Sequence, residues 1–417
     1  MHVDLSRHLT PKDCHILRRT EGGSHHVVII RVGSARPSNE FVIKIPVTGT
    51  EERWCDEHAY TMRCEALLMN YLRKYTSIPV PEVIAFQDRI DNPLGAPYIL
   101  MRKAFGKSAY CLWLDAEGED GQNADNPSEQ MIRKRITFLK SLALYMAELQ
   151  KLTFEKLGML NFDNNVDKPV VAHYWETRGG IQIRQEPVAS AREFFLSGLN
   201  ARLPANTTPR NLSECQNNNG GIQDTRKGIN KLQGVRRIME IIYDSSCFDG
   251  KAPVSSEGNS FILRHPDLDL QNILVDDDNT ITSILDWHGT ITAPRCIGYV
   301  ALPRFLTHDW FPHFTLSDPP YMSWTVDYYR RVYADSMKEH CDDGKYTYKS
   351  AMYQAAAAAP SCQWCSDACS DVVNKVLLQL PALRLTDLNE FQERLGRGWK
   401  AAEEYLKVEI GILFESE

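Results

Sequence analysis

The sequence predicts an α+β fold in two lobes. A small N-terminal antiparallel β lobe with one helix occupies residues 1–103, and a larger, mainly helical C-terminal lobe occupies residues 104–417. Three observations carry that expectation. Runs of β-branched and aromatic residues separated by turn residues fill positions 15–48 and return at 83–101, with one stretch of helical spacing, 56–75, between them. Helical spacing dominates residues 131–152, the region after Val235 and the chain beyond Pro303. Between those helical regions lies one hairpin-like stretch, Arg264 to Trp287, whose polar residues are more specifically spaced than a turn requires.

In chain order, Glu21-Gly22-Gly23-Ser24 is a flexible turn ahead of two strand runs, Val27–Val32 and Phe41–Ile45. Its backbone N–H groups suit the cradling of phosphates, and a plain hairpin turn is the alternative. Lys44 lies inside the second apolar run, where a lysine is costly to bury unless an anion accompanies it. The helix over 56–75 places Ala59, Met62, Ala66, Met69 and Leu72 on one face. Val83–Phe86 and Pro97–Met101 read as the last two strands of the lobe, which the chain leaves through Arg102–Gly106. Residues 115–129 lack large apolar side chains and read as a solvated loop. Ile132, Ile136, Leu139, Leu142, Met146 and Leu149 give 131–152 the stripe of a core helix. Residues 200–234 shift to Pro, Asn, Thr, Ser and Gly and read as a flexible insertion, or a lid, before helical spacing resumes near Val235.

The stretch RHPDLDLQNILVDDDNTITSILDW carries the chemistry. His265, Asp267 and Asn272 form H-x-D-x-x-x-x-N, followed by the apolar run Ile273–Val275, an acidic turn at 276–279, and a second run that delivers Asp286. Strand, turn, strand is a hairpin, and a hairpin brings its outer ends together, so Asn272 and Asp286 are expected side by side. Phosphoryl transfer needs this donor set. A carboxylate orients and deprotonates the attacking hydroxyl, which suits Asp267. An amide oxygen and a second carboxylate hold Mg²⁺ against phosphates, which suits Asn272 and Asp286.

The stretch resembles the aminoglycoside phosphotransferase (choline-kinase-like) family of the protein-kinase-like superfamily, in which the loop usually reads H-G-D-x-H-x-x-N and the later aspartate is often followed by Trp. Pro266 and Asp269 depart from that pattern, while Asp286-Trp287 keeps it. The continuation through His288-Gly289-Thr290 is most similar to uncharacterised fungal members. The resemblance implies a two-lobed protein-kinase-like fold and transfer of the γ-phosphate of ATP, with Mg²⁺, to a hydroxyl of a small-molecule acceptor. It implies a strand lysine, Lys44, that binds phosphates and pairs with a helix glutamate; Glu65 is the expected partner and Glu57 the alternative. It further implies nucleotide contacts from Gly22, Gly23 and Ser24 and from the backbone of Arg102 and Ala104. His265 is expected to brace the loop that carries Asp267.

A formal charge of −7 disfavours nucleic acid as a partner, since phosphate binding needs a basic face. No stretch has the apolar length of a membrane span, and the N-terminus lacks a signal-peptide core. With no such core, the 11 cysteines read as reduced thiols, and the cytoplasm is the expected location. Cys362, Cys365 and Cys369 have a zinc-like spacing without an adjacent fourth ligand, His340 or Cys341 being the candidates for one, and small buried residues of a helix are the alternative. Trp310, Phe311, Trp324, Tyr328 and Tyr329 read as core or as the lining of a substrate cleft. The rival to an enzyme is a catalytically silent nucleotide-binding or scaffold protein on the same fold.

Overall fold

The structure, a computed structural model, describes residues 13–33, 39–114, 126–163, 165–178, 181–203, 222–248, 260–312, 314, 325–362 and 365–415. The chain divides into two units. The first comprises Met1–Glu117, Met159–Val170 and Pro266–Thr290, and the second Gly118–Gly158, Val171–His265 and Ile291–Glu417.

The first unit is built on a five-stranded sheet in the order β1-β2-β3-β5-β4. Its strands are β1 (Cys14–Glu21), β2 (His25–Val32), β3 (Glu40–Pro46), β4 (Val83–Gln87) and β5 (Tyr98–Arg102), and every pairing is antiparallel. In the meander β1-β2-β3, β2 and β3 carry the two β-branched runs and β1 pairs along β2. The β4–β5 hairpin then adds β5 to the free edge of β3, which makes β3 the central strand. Between β3 and β4 runs α1 (Asp56–Tyr75), with Asp56 and Glu57 in its first turn and Arg73 and Lys74 in its last, as the helix dipole favours. Met62, Glu65, Ala66, Met69 and Leu72 form its buried face. Thr76 closes it by donating from Oγ1 to the Leu72 carbonyl at 2.7 Å, and Pro79 follows soon after.

Far along the chain, Ile273–Val275 and Ile281–Ile284 return as an antiparallel hairpin with Ile273 opposite Ile284. Lys107–Ser108 adds a third strand to it. Asn279, at φ 63°, makes the turn, and Asn is among the residues that tolerate the left-handed region. Gly106 (φ 116°) passes so close that a Cβ there would stand 2.6 Å from the Val275 carbonyl oxygen, so only glycine fits. The Ile284 N–H donates to the Pro79 carbonyl at 2.8 Å, fastening the hairpin to the segment that leaves α1.

The second unit is mainly helical, with long helices at Glu129–Ala147, Ala191–Arg202, Ile222–Tyr243, Val326–His340, Cys365–Gln379 and Lys400–Glu415. Its core gathers Phe195, Ile238, Ile242, Tyr243, Phe248, Tyr353, Val373 and Phe414, all nearly or fully buried. Three short antiparallel strands, Thr153–Phe154, Phe261–Arg264 and Ile291–Ala293, lie within it. A hairpin of Tyr174–Arg178 and Ile181–Gln185 was not anticipated, although Gly179-Gly180 between two β-rich runs is a readable hairpin signal. The expected class, α+β, is the one observed: a small antiparallel sheet with one long helix in the first unit, and a larger, mainly helical second unit.

The insertion expected over 200–234 is corrected in part. Residues 204–221 lie outside the described residues, but the helix Ile222–Tyr243 starts 13 positions before Val235, and Asn200 still belongs to the helix Ala191–Arg202. Gly234, the last residue of the expected insertion, lies inside the helix Ile222–Tyr243 for a packing reason. A Cβ there would lie 2.0 Å from the Gln392 carbonyl oxygen, and one at Gly396 would lie 1.8 Å from that of Asn230. The two glycines let this helix and Leu388–Gly396 pack backbone to backbone. Most of the loop expected at 115–129 also falls outside the described residues; its end, Ser128, caps the helix Glu129–Ala147 by accepting from the Met131 N–H at 3.2 Å.

Gly228 is the internal control, because a Cβ there meets nothing within 4 Å. Gly234→Ala and Gly396→Ala are each expected to cost about 1–3 kcal/mol in urea unfolding through overpacking. Gly228→Ala is expected to leave stability unchanged or raise it by about 0.5–1 kcal/mol through helix propensity.

Candidate active site

The site is built on β3, α1 and the hairpin, all within the first unit. Lys44 lies on central β3, opposite Val27 of β2 and Ile99 of β5, and is only 8% exposed. An ammonium in that setting needs anions, and it has two. Its Nζ donates to Glu65 Oε1 and to Asp286 Oδ1, at 2.7 Å each. Glu65 comes from the buried face of α1, and its second oxygen, Oε2, lies 3.2 Å from His288 Nδ1. Glu57, half-buried in the first turn of α1, is not the partner.

Burial alone would push the Glu65 carboxyl up, but the Lys44 ammonium and His288 outweigh it and hold it well below the usual carboxylate range. Burial alone would lower Lys44, and the Glu65 and Asp286 carboxylates outweigh that and raise it. Both groups therefore stay ionised through the neutral range. His25, the first residue of β2, is pushed down to about 4 by burial and by the Lys44 ammonium, so its ring is neutral at pH 7.

Asp286 has φ 61°, unusual for a residue other than glycine. The bend is held from both sides. The Leu285 N–H donates to the Asn272 carbonyl at 2.7 Å, and Trp287, fully buried, donates from Nε1 to the Ile284 carbonyl at 3.1 Å. Asn272 and Asp286 thus stand at the joined ends of the hairpin. Asn272 Nδ2 donates to the Asp267 carbonyl at 2.8 Å and to Asp267 Oδ2 at 3.1 Å, which leaves Asn272 Oδ1 for another partner. Asp269 caps the turn Leu270–Asn272, accepting from the Leu270 N–H at 2.8 Å. That gives the carboxylate at this position a structural task.

The remaining expected residues lie as follows. Gly22, Gly23 and Ser24 form the β1–β2 turn, where the Gly22 N–H donates to the His25 carbonyl at 2.9 Å and Ser24 O accepts from Val47 at 3.0 Å. Arg102 ends β5; its guanidinium meets Glu82 at 2.6 Å and its N–H donates to the Glu82 carbonyl at 2.9 Å. Ala104 follows, half-buried. His265 is 4% exposed and follows the strand Phe261–Arg264 in the second unit.

Sequence reasoning missed His25, His288 and the bond from Lys44 to Asp286. Isolated histidines have no periodic signature, and the only hint was that His25 adjoins the glycine turn and His288 stands two places after Asp286. Cys365 and Cys369 lie one turn apart on the buried face of their helix, Sγ to Sγ 3.8 Å. Among the described residues, the only group of histidines, cysteines and carboxylates close enough to share a metal is His25, Glu65 and His288. Of the aromatic residues expected in a core or a cleft, Tyr329 is buried and Tyr328 exposed, Trp310 packs against the core, and Trp324 lies outside the described residues.

No family model matches the chain. A subtelomeric hrmA-associated cluster protein of Aspergillus fumigatus is 27% identical over 322 residues, covering 70% of this chain and 61% of that protein. Altered inheritance of mitochondria protein 9 of Candida glabrata is 22% identical over 330 residues, covering 69% of this chain and 50% of its own length. The chain thus spans between half and three-fifths of these curated relatives. Solved structures with a likeness to this chain include aminoglycoside phosphotransferase APH(4)-Ia, with 13% identity, 87% of this chain and 94% of that chain covered, and a TM-score of 0.42. Another is the GDP complex of aminoglycoside 2'-phosphotransferase-IIIa, with 13% identity, coverage of 97% and 94%, and a TM-score of 0.38. Among the described residues, no helix is long and apolar enough to cross a membrane.

The Lys44–Glu65 contact is testable as an ion pair. Lys44→Met strands a buried carboxylate on a single histidine and is expected to cost about 3–5 kcal/mol in denaturant unfolding. Adding Glu65→Leu removes the stranded charge and is expected to restore at least about 1 kcal/mol.

Proposed function

We propose that the protein is an ATP-dependent phosphotransferase that moves the γ-phosphate of ATP to a hydroxyl of a small-molecule acceptor. The observation that carries this reading is the junction at Lys44, where one buried ammonium holds the helix carboxylate Glu65 and the hairpin carboxylate Asp286 at 2.7 Å each. A pair from strand and helix, joined to the end of a hairpin that begins at H-x-D-x-x-x-x-N, is the arrangement phosphoryl transfer requires.

The residues fit a hard divalent cation. Asn272 Oδ1 and the second carboxylate oxygen of Asp286 are oxygen donors at adjacent hairpin ends, the donor type Mg²⁺ prefers. When bound, Mg²⁺ would neutralise charge on the nucleotide phosphates. Lys44 would turn part of its charge from Asp286 to the α- and β-phosphates while Glu65 holds it in place. The N–H groups of Gly23 and Ser24 would lie over the phosphates, with that of Gly22 holding the turn closed on the His25 carbonyl. Because the Arg102 N–H is engaged by Glu82, the adenine contact of Arg102 falls to its carbonyl, with Ala104 supplying the neighbouring one.

Asp267 would orient the acceptor hydroxyl and take its proton as the oxygen–phosphorus bond forms and the bond from the γ-phosphorus to the bridging oxygen of ADP breaks. His265 would brace the loop. Catalysis in this scheme is mainly positioning and electrostatic stabilisation. The rival, a silent scaffold, does not account for a carboxylate at 267 oriented by Asn272.

The test is an acceptor screen with radiolabelled ATP, followed by Asp267→Ala on any acceptor found. Transfer is expected to fall by about 10²–10⁴-fold with Mg-ATP binding intact. Turnover near the wild-type rate would remove Asp267 from the mechanism.

A further inference from the structure

We propose that His25, Glu65 and His288 form a binding site for Zn²⁺, distinct from the oxygen pair at Asn272 and Asp286. One potential ligand atom from each of the three lies within 4.8 Å of the other two. His288 Nδ1 and Glu65 Oε2 are already 3.2 Å apart. Two ligands at tetrahedral zinc distances, each about 2.0–2.1 Å from the ion, stand about 3.4 Å from one another, so this edge is formed and His25 needs to close by at most about 1.4 Å.

The surroundings favour such an ion. Lys44 occupies Glu65 Oε1 and fixes the carboxylate, leaving Oε2 as a single-oxygen ligand held by an outer partner. Two imidazole nitrogens select a transition ion over Mg²⁺, which prefers oxygen. The His25 and His288 rings meet edge to face with centroids 5.4 Å apart, so their nitrogens approach from different directions. Among the described residues, no hydrogen bond engages the His25 ring, so binding there breaks none. Lys44, Glu65 and Asp286 together carry one net negative charge, which lowers the cost of adding a cation beside an ammonium. His288 is the exposed member, so the ion has a route in from solvent.

Three protein ligands leave a fourth position open. Loading would replace the hydrogen bond between His288 and Glu65 with metal bonds to the same atoms. It would also tie the start of β2, next to the Gly22–Ser24 turn, to the middle of α1. The site stands independently of the phosphotransfer reading and is tested without nucleotide.

The experiment is Co²⁺ titration of the metal-stripped full chain, read by visible absorption. We expect the strong d–d bands of four-coordinate Co²⁺ without a thiolate charge-transfer band, bleached by Zn²⁺ and untouched by excess Mg²⁺. His25→Asn and His288→Ala should each weaken binding by at least about tenfold, an order of magnitude typical of losing a ligand or its support, while a Cys362, Cys365 and Cys369 triple serine variant should leave it unchanged. His288→Cys should add a thiolate charge-transfer band, a gain that misfolding cannot imitate. Absence of d–d bands in the folded wild type, bands that survive both histidine substitutions, or thiolate bands abolished by the serine variant would overturn the proposal.

Discussion

The first unit depends on keeping one lysine charged inside a sheet. Lys44 stands on the central strand between Val27 and Ile99, where an ammonium without anions would be expelled or neutralised. Glu65 and Asp286 solve that problem from two separate parts of the sequence, 21 and 242 residues away. Each imposes a constraint. Glu65 requires α1 to present a polar residue on its buried face, and Asp286 requires the hairpin to end beside β3. The Ile284–Pro79 hydrogen bond and the buried Trp287 hold that end in place. Removing Lys44 leaves the buried Glu65 carboxylate without its cation, and removing Glu65 leaves Lys44 to Asp286 alone.

A buried ion pair is weak evidence for stability, since an apolar pair of the same volume often does as well. Its retention here is better understood through geometry. The same Lys44 nitrogen that satisfies Glu65 also reaches Asp286, whose backbone occupies the left-handed region. Local strain of this sort persists where surrounding contacts over-determine it. Asp269 belongs to the same design. Where the family pattern has histidine, this carboxylate caps the turn that presents Asn272.

How much of this was legible in the sequence varied with the range of the signal. The hairpin ends and the loop at Asp267 were readable because strand, turn and strand are contiguous. Lys44 and α1 were readable because a charge in an apolar strand and a stripe at helical spacing are local patterns. Glu65 itself came from resemblance to a known family, since nothing local distinguishes it from an exposed glutamate. His25 and His288 could not be foreseen, as their meeting at Glu65 depends on the return of a segment 263 positions away (His25 to His288). Gly234 misled for a related reason. A glycine signals flexibility in sequence, and only the carbonyl of Gln392 against it reveals a close helix crossing.

The central claim is that the hairpin end and the strand lysine together form a metal–nucleotide site. Thermal unfolding with and without Mg-ATP tests it most directly, comparing wild type with Asp286→Asn, a substitution suited to the left-handed backbone there. A ligand of the folded state alone raises stability by about RT ln(1 + [L]/Kd), so even modest affinity registers at millimolar nucleotide. The account predicts a Mg-ATP-dependent rise in the wild type that is lost in Asp286→Asn. No rise in the wild type, or an equal rise in both, would contradict it.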